Sequence, residues 1–291
     1  MVAAAPPPEP EKRPVWSDHG DAPFEDTEST PVYARKGKGS SSGGSGNEFF
    51  EILKTVAFAL LIALVLRIVL FQPFTIPSAS MEPNLYEGDY IVVSKWSYGY
   101  SRHSIPWSPP LFKGRILANQ PERGDIVVFK LPRDAGQGPN QTDYIKRLIG
   151  LPGDRVQMIN NVLYLNGTIV PDVVTSRNEV DEVGHTVIKF NETLPGGKTF
   201  KAQEWGPGNP LDNTAEFTVP AGYYLMIGDN RDNSLDSREY PENGGVGLVP
   251  AENLVGKAEI ILFSWHPGAS LFNPVSWFSK VRPSRFFTVL N

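Results

Sequence analysis

Three short stretches carry residue types that can do chemistry. The first is PSASMEP, residues 77–83, where Ser78 and Ser80 stand two apart between Pro77 and Pro83. Each proline fixes its own φ and biases the residue before it to an extended form, so the backbone around the two hydroxyls is stiff. A stiff backbone holding a hydroxyl outward suits a serine nucleophile. In an extended stretch a two-residue spacing places both side chains on one side. One hydroxyl can then attack while the other, with the Ser80 backbone N–H, donates to a developing oxyanion. Taken alone, the stretch reads more simply as a Ser/Pro turn.

A serine nucleophile needs a base. The chain has four histidines, His19, His103, His185 and His266, and none has an obvious orienting carboxylate, so a Ser-His-Asp triad is weakly supported. Outside the glycine- and serine-rich tail there is no G-x-S-x-G, and there is no S-x-x-K anywhere. Cysteine is absent, which removes thiol nucleophiles, disulfides and zinc–thiolate sites together. The second stretch, DYIKRLIGLPGD, supplies Lys146. Strand alternation puts Tyr144, Lys146 and Leu148 on one face, with Ile145 and Arg147 on the other. Making a lysine half neutral at pH 7 takes about 4.6 kcal/mol. Full burial can supply that much, so apolar neighbours matter as much as the amine. The alternative is an ordinary solvated lysine, which is how Lys95, Lys130 and Lys189 read.

The third stretch, MIGDNRDNSLDSR, is the densest polar cluster of the chain and follows the apolar run YYLM. A calcium loop fails on either start. From Asp229, Arg231 and Ser234 fall where a ligand and a glycine are needed; from Asp232, Asn243 replaces the bidentate glutamate. An Asx-rich turn is one reading. A brace for an active site is another, with Ser234 hydrogen-bonding a lysine amine and Asp236–Arg238 locking the loop as an ion pair. No metal site and no cofactor motif is evident.

The elements that must position these groups follow from composition. The 291 residues suffice for a sizeable core, and 27 glycines with 27 prolines favour a turn-rich, mainly β architecture. A net charge of −5 without a basic stretch makes nucleic acid an unsuitable partner. Residues 1–47 read as a disordered tail rich in proline, glycine and serine. Residues 48–73 read as a transmembrane anchor: Val56 to Leu66 is unbroken apolar, and Arg67 lies near the far end, where its stem can snorkel. The apolar run starts too far into the chain for a cleaved signal peptide. Arg35, Lys36, Lys38 and Lys54 precede or open the run, so the positive-inside rule places the tail in the cytoplasm and residues 74–291 outside. Beyond the anchor, short β-like runs alternate with turns at 89–95, 124–130, 143–150, 154–159, 162–167, 185–190, 216–220, 222–228 and 256–265. Residues from about 160 to 220 are polar and looped and read as an insertion on the main sheet. The expected fold is an antiparallel β catalytic domain with a smaller inserted β domain, preceded by one transmembrane helix.

Together, and in this order, the three stretches resemble the bacterial type I signal peptidase family, the membrane-bound serine–lysine proteases that remove secretory signal peptides. PSASMEPNL is similar to the family's nucleophile box P-S-x-S-M-x-P-T-L, with Asn84 where threonine is usual. GDYIVVSKWSYG, RGDIVVF, YIKRLIGLPGD and GDNRDNSLDSR match the following boxes, so the resemblance runs from about Phe74 to Phe263. It implies Ser80 as nucleophile, Lys146 as general base, Ser78 as side-chain oxyanion donor, Ser234 as the group orienting the lysine, and Asp236–Arg238 as the bracing pair. It also implies that Phe74, Ile76, Pro77, Met81, Leu85, Tyr144 and Ile145 line shallow pockets that admit small residues at −3 and −1. No cofactor is implied. The implied partners are signal peptides of secreted preproteins, the lipid bilayer and the secretion translocon, and the implied location is the bacterial inner membrane with the catalytic domain on its periplasmic side. The C-terminal VSWFSKVRPSRFF, with its aromatic and basic residues, suggests a second contact with the lipid interface. Another serine–lysine hydrolase, or a membrane-tethered β adaptor without catalysis, are the competing readings.

Overall fold

The computed structural model describes residues 45–135, 137, 141–181, 184–268 and 279–290. The tail expected at 1–47 lies outside the described residues except at its end, where Ser45 already belongs to helix α1, Ser45–Val69. The apolar part of α1, Glu48–Val69, spans 22 residues; its most apolar 18-residue stretch has a mean hydropathy of 2.5, and none of that stretch is buried. At about 1.5 Å per residue it is about 33 Å long, enough to cross a bilayer core.

Beyond α1 the chain is built from strands. In order they are β1 (Phe71–Thr75), β2 (Asp89–Ser94), β3 (Ile126–Lys130), β4 (Asp143–Gly150), β5 (Arg155–Ile159), β6 (Val162–Leu165) and β7 (Thr168–Ile169). They continue as β8 (Asp172–Val180), β9 (Thr186–Thr193), β10 (Thr199–Glu204), β11 (Phe217–Thr218), β12 (Tyr223–Ile227), β13 (Val249–Pro250), β14 (Leu254–Ser264) and β15 (Thr288–Val289). The main sheet has the order β1-β2-β14-β3-β4-β12-β13, with β15 on β14; β10-β9-β8 and β11-β5-β6-β7 form two smaller sheets. Neighbouring strands run antiparallel throughout, the mainly β architecture that the turn-rich composition favours.

Strand β1 begins inside the segment read as anchor. The apolar run continues through Phe71 without a break, so hydrophobicity alone does not mark where helix gives way to strand. Pro73 sits in β1, which pairs with β2 alone, and a proline on an open edge removes no ladder hydrogen bond. After β1, Ile76, Met81 and Leu85 are buried in one core with Ile91, Val93, Ile126 and Val128. Met81 and Leu85 are completely covered, and each such side chain stabilises the fold by about 1.5–3 kcal/mol. This core fixes the segment carrying Ser78 and Ser80 onto the sheet.

Of the C-terminal segment proposed to meet lipid, residues 275–278 lie outside the described residues. Of the rest, Phe287 is exposed, but Arg285 turns inward, its Nε and Nη2 donating to the two Asp89 carboxylate oxygens. Arg282 is likewise buried.

Candidate active site

The site forms where the segment after β1 meets the start of β4 and the loop after β12. Ser78 is extended (φ −148°, ψ 156°), and Ala79–Met81 then closes a 3-10 turn, with the Glu82 N–H donating to the Ala79 carbonyl. The expectation that both serines lie on one extended stretch is therefore met only at Ser78. The turn still brings the hydroxyls together, with Ser78 Oγ 3.4 Å from Ser80 Oγ. Ser80 is buried and Ser78 exposed.

Strand β4 pairs with β3 so that Lys146 lies opposite Val127. Its Nζ lies 2.6 Å from Ser80 Oγ and 2.9 Å from the Ile145 carbonyl, and sits 5.3 Å above the Tyr144 ring centre. Lys146 is 3% exposed. Burial is the main cause that lowers its pKa to about 8; Asp236 and Asp229 push it up and Arg238 pushes it down.

The loop after β12 folds back over both groups. Asp236 is fully buried and held by Arg238 in a fork, Nε to Oδ1 and Nη2 to Oδ2, each 2.9 Å. Its Oδ2 also accepts from the Gly228 N–H at 2.9 Å and from Ser234 Oγ at 2.7 Å. Burial alone would raise this carboxyl, but the Arg238 guanidinium, with the Gly228 and Ser234 donors, holds it below the usual carboxylate range. Ser234 is thus spent on Asp236. Its hydrogen bond does not go to Lys146, which the resemblance to the signal peptidases led one to expect; the lysine is held by Ser80 and its own strand's carbonyl instead.

Three of the seven expected pocket residues, Pro77, Tyr144 and Ile145, line a cleft of about 660 Å³ together with Ser78, Ser80 and Lys146. Phe74, Ile76, Met81 and Leu85 lie beneath it in the core, where they support the wall rather than form it.

Several positioning residues escaped the sequence reading. Gly228 packs so closely that a Cβ there would collide with Ser234 and with the Ser80 carbonyl oxygen, so only glycine lets the loop approach the nucleophile. Asn230 ties the same two segments, its N–H donating to the Ser80 carbonyl and its Nδ2 to the Ala79 carbonyl. Arg147 forks onto Asp229, Nε to Oδ1 at 2.7 Å and Nη2 to Oδ2 at 2.8 Å, and Asn84 Nδ2 reaches the same Oδ2. The glycine and the alternating charges of GDNRD were the available signals. Nothing in them tells which partners they find across 60 or more residues of chain.

Lys95 departs from its reading as a solvated lysine. It is 1% exposed, its Nζ donates to the Ser104 carbonyl, and burial, with Arg67 nearby, lowers its pKa to about 8. Lys130 pairs with Asp143 at 3.0 Å and Lys189 with Glu179 at 2.6 Å.

A fold of curled antiparallel sheets that holds a buried lysine against a buried serine belongs among the hydrolases, and comparison with known proteins gives the class. Residues 49–265 match the family described as signal peptidase, peptidase S26. The chain is 43% identical over 251 residues to signal peptidase I of Rickettsia typhi, covering 79% of this chain and 89% of that protein. It is 42% identical over 255 residues to signal peptidase I of Rickettsia canadensis, covering 80% and 91%. A crystal structure of a signal peptidase I from Enterococcus faecalis aligns over 48% of this chain and 97% of its own, at 27% identity and a TM-score of 0.27. The chain belongs to the peptidase S26 family and is a protease.

Proposed function

We propose that the protein is a single-pass membrane-bound serine endopeptidase that cleaves signal peptides from secreted preproteins, with Ser80 as nucleophile and Lys146 as general base. The observation that carries this is the buried Lys146 amine 2.6 Å from Ser80 Oγ. An amine with a pKa of about 8 is neutral in a useful fraction near neutrality and can take the serine proton. As Oγ bonds to the carbonyl carbon of the −1 residue, its proton passes to Lys146 Nζ. The oxyanion is met by the Ser80 N–H and the Ser78 hydroxyl. Collapse breaks the C–N bond, and Lys146 returns the proton to the leaving amine. A water, deprotonated by the same amine, then hydrolyses the acyl-enzyme.

The substrate chain enters as an added strand. Strand β12 joins β4 only from Arg147 onward, so the edge of Asp143–Lys146 facing the cleft carries no strand partner. Strand β1 pairs only with β2. An extended peptide laid between these edges gains backbone hydrogen bonds, and in this reading Pro77, Tyr144 and Ile145, which line the cleft, meet the small side chains at −1 and −3. In this reading α1 crosses the inner membrane with the tail inside and residues 74–291 outside, beside the translocon exit where preproteins emerge. Asp236–Arg238 and Ser234 position the loop that covers the dyad.

The test is cleavage of a preprotein carrying an A-x-A site by purified protein in detergent, with Ser80→Ala and Lys146→Ala beside it. Loss of cleavage in both variants with the fold intact supports the assignment. Cleavage retained by either removes that residue from its role.

A further inference from the structure

A second cavity, of about 350 Å³, lies at the C-terminal end of α1. That volume falls within the ~300–1,000 Å³ of small-ligand sites. Leu64 and Arg67 come from the last turns of α1, Gln72 from β1, and the 103–108 segment from the long connection between β2 and β3. Lys130 and Asp143 close the side toward the main sheet.

The connection is tied to the end of the helix. Tyr100 donates its phenolic O–H to the Val69 carbonyl at 2.6 Å, and the Lys95 N–H donates to the Leu70 carbonyl at 3.0 Å. Ser101 and Ser104 then cap the next turn reciprocally, the Ser101 hydroxyl accepting from the His103 N–H and the Ser104 hydroxyl from the Ser101 N–H. His103 Nδ1 lies 3.0 Å from Ser108 Oγ. Directed bonds therefore hold the cavity walls on both the helix side and the connection side.

The lining is amphiphilic. Leu64, Ile105 and Pro106 give it an apolar part, and Arg67, Gln72, Ser108 and Lys130 a polar part. Leu64 precedes Arg67 by three residues, so both share one helix face, with Leu64 about 4.5 Å further into the apolar run. The polar part is electropositive. Arg67 has no carboxylate partner among the described residues. The one carboxylate of the lining, Asp143, pairs with Lys130 at 3.0 Å. Two neighbouring buried groups register the same field. Burial first, then Arg67, lowers the Lys95 pKa to about 8, with Asp143 pushing it back up. Burial first, then Arg102, Lys130 and Arg115, lowers the His103 pKa to about 4, so this ring offers a neutral hydrogen-bonding group.

An unpaired guanidinium with hydroxyl and amide donors beside it matches a phosphate oxyanion. The apolar part and the helix end call for hydrocarbon attached to that phosphate. Trp107 lines the same space while 78% exposed, held out by a left-handed backbone (φ 65°) that a bulky residue rarely adopts. Tryptophan and arginine are the side chains that settle at headgroup depth.

From this geometry we infer that the cavity between the end of α1, Gln72 and the 103–108 segment binds the headgroup of an anionic phospholipid of the outer leaflet. Its phosphate sits on Arg67, Gln72 and Ser108, and its acyl chains run down beside Leu64. The inference rests on the reading above that α1 crosses the bilayer with this end outside, and not on which peptides are cleaved. Asp143 also lines the catalytic cleft, so a bound headgroup ties the cleft to the lipid surface.

The test titrates the full-length protein in dodecyl maltoside micelles with dioleoyl phosphatidylglycerol and counts the retained lipid by native mass spectrometry. The parent is expected to keep one lipid molecule. Arg67→Gln weakens this binding about fivefold, the worth of one cation beside an anionic lipid. Lys113→Gln, exposed on the same connection but outside the cavity, stays within about twofold. Equal binding by the parent and Arg67→Gln, or equal losses in the two variants, overturns the site. Two competitors separate the sources. Glycerol 3-phosphate, which lacks the chains, and dioleoylglycerol, which lacks the phosphate, are each expected to displace the lipid poorly. Displacement by glycerol 3-phosphate as effective as by the lipid itself assigns the cavity to a soluble phosphate and overturns the lipid; equal displacement by dioleoylglycerol overturns the phosphate contact. Parent protein that alkaline carbonate strips from vesicles takes down the membrane-spanning reading itself, whereas protein that stays in them without an Arg67 effect takes down this inference alone.

Discussion

Lys146 and Lys95 form a natural pair. Both are almost fully buried, and burial lowers both to a pKa of about 8. They differ in what the nitrogen touches. Lys95 donates to the Ser104 carbonyl, an acceptor with no proton to give, under a turn that closes over it. Lys146 faces the Ser80 hydroxyl and is overlooked by a loop that Asp236 and Arg238 hold rigid. Desolvation makes an amine capable of acting as a base, and only the neighbouring hydroxyl makes that capacity chemical.

The largest effect should separate the two lysines. Lys146→Ala lowers kcat/KM for a preprotein by at least about 10³-fold, while Lys95→Met, which keeps the apolar stem, stays within about threefold. Equal losses in a steady-state assay would break the comparison. Next comes the brace, which Lys95 lacks. Asp236→Asn leaves Arg238 buried without its partner charge and costs about 3–5 kcal/mol of stability by denaturant unfolding. Cleavage by the folded fraction drops as well. A variant as stable and active as the parent would remove the brace from the account.

How far these contrasts could be read from the sequence differs by element. Strand β4 was placed to the residue, because the run DYIKRLIG, rich in β-branched and aromatic residues, is closed by a Pro-Gly turn. Strand β8 was not seen, because all but one of its residues are exposed and its side chains show no alternation of apolar and polar. That Ser80 and Lys146 belong to one site was legible from residue types in a known order, and the structure brings the two together. Their environment was not: the burial of Lys95 depends on a turn seven to nine residues on, and the partner of Ser234 on how tightly Gly228 lets the loop fold. Local pattern reports propensity, whereas burial and partner choice are settled by long-range packing.

A smaller effect is the pH response. In the proposed mechanism the base works as the neutral amine, so kcat/KM climbs about tenfold per pH unit below the Lys146 pKa of about 8 and levels off above it. Lys95→Met leaves that profile in place. Asp236 acts in the opposite range. Its folded pKa lies below the ordinary 3.8, so its stabilisation is complete above that value and is lost as the pH falls through the folded one. The difference in unfolding temperature between the protein and Asp236→Asn should therefore hold from about pH 7 to pH 5 and narrow only below about pH 4.

The most direct measurement is the titration of the Lys146 amine itself, followed by NMR of the lysine Cε carbons and assigned with Lys146→Arg. A midpoint near 8 is predicted for a nitrogen kept from water beside Ser80. A midpoint at the ordinary 10.5 would mean that the amine is charged whenever the protein works, and that it is not the base.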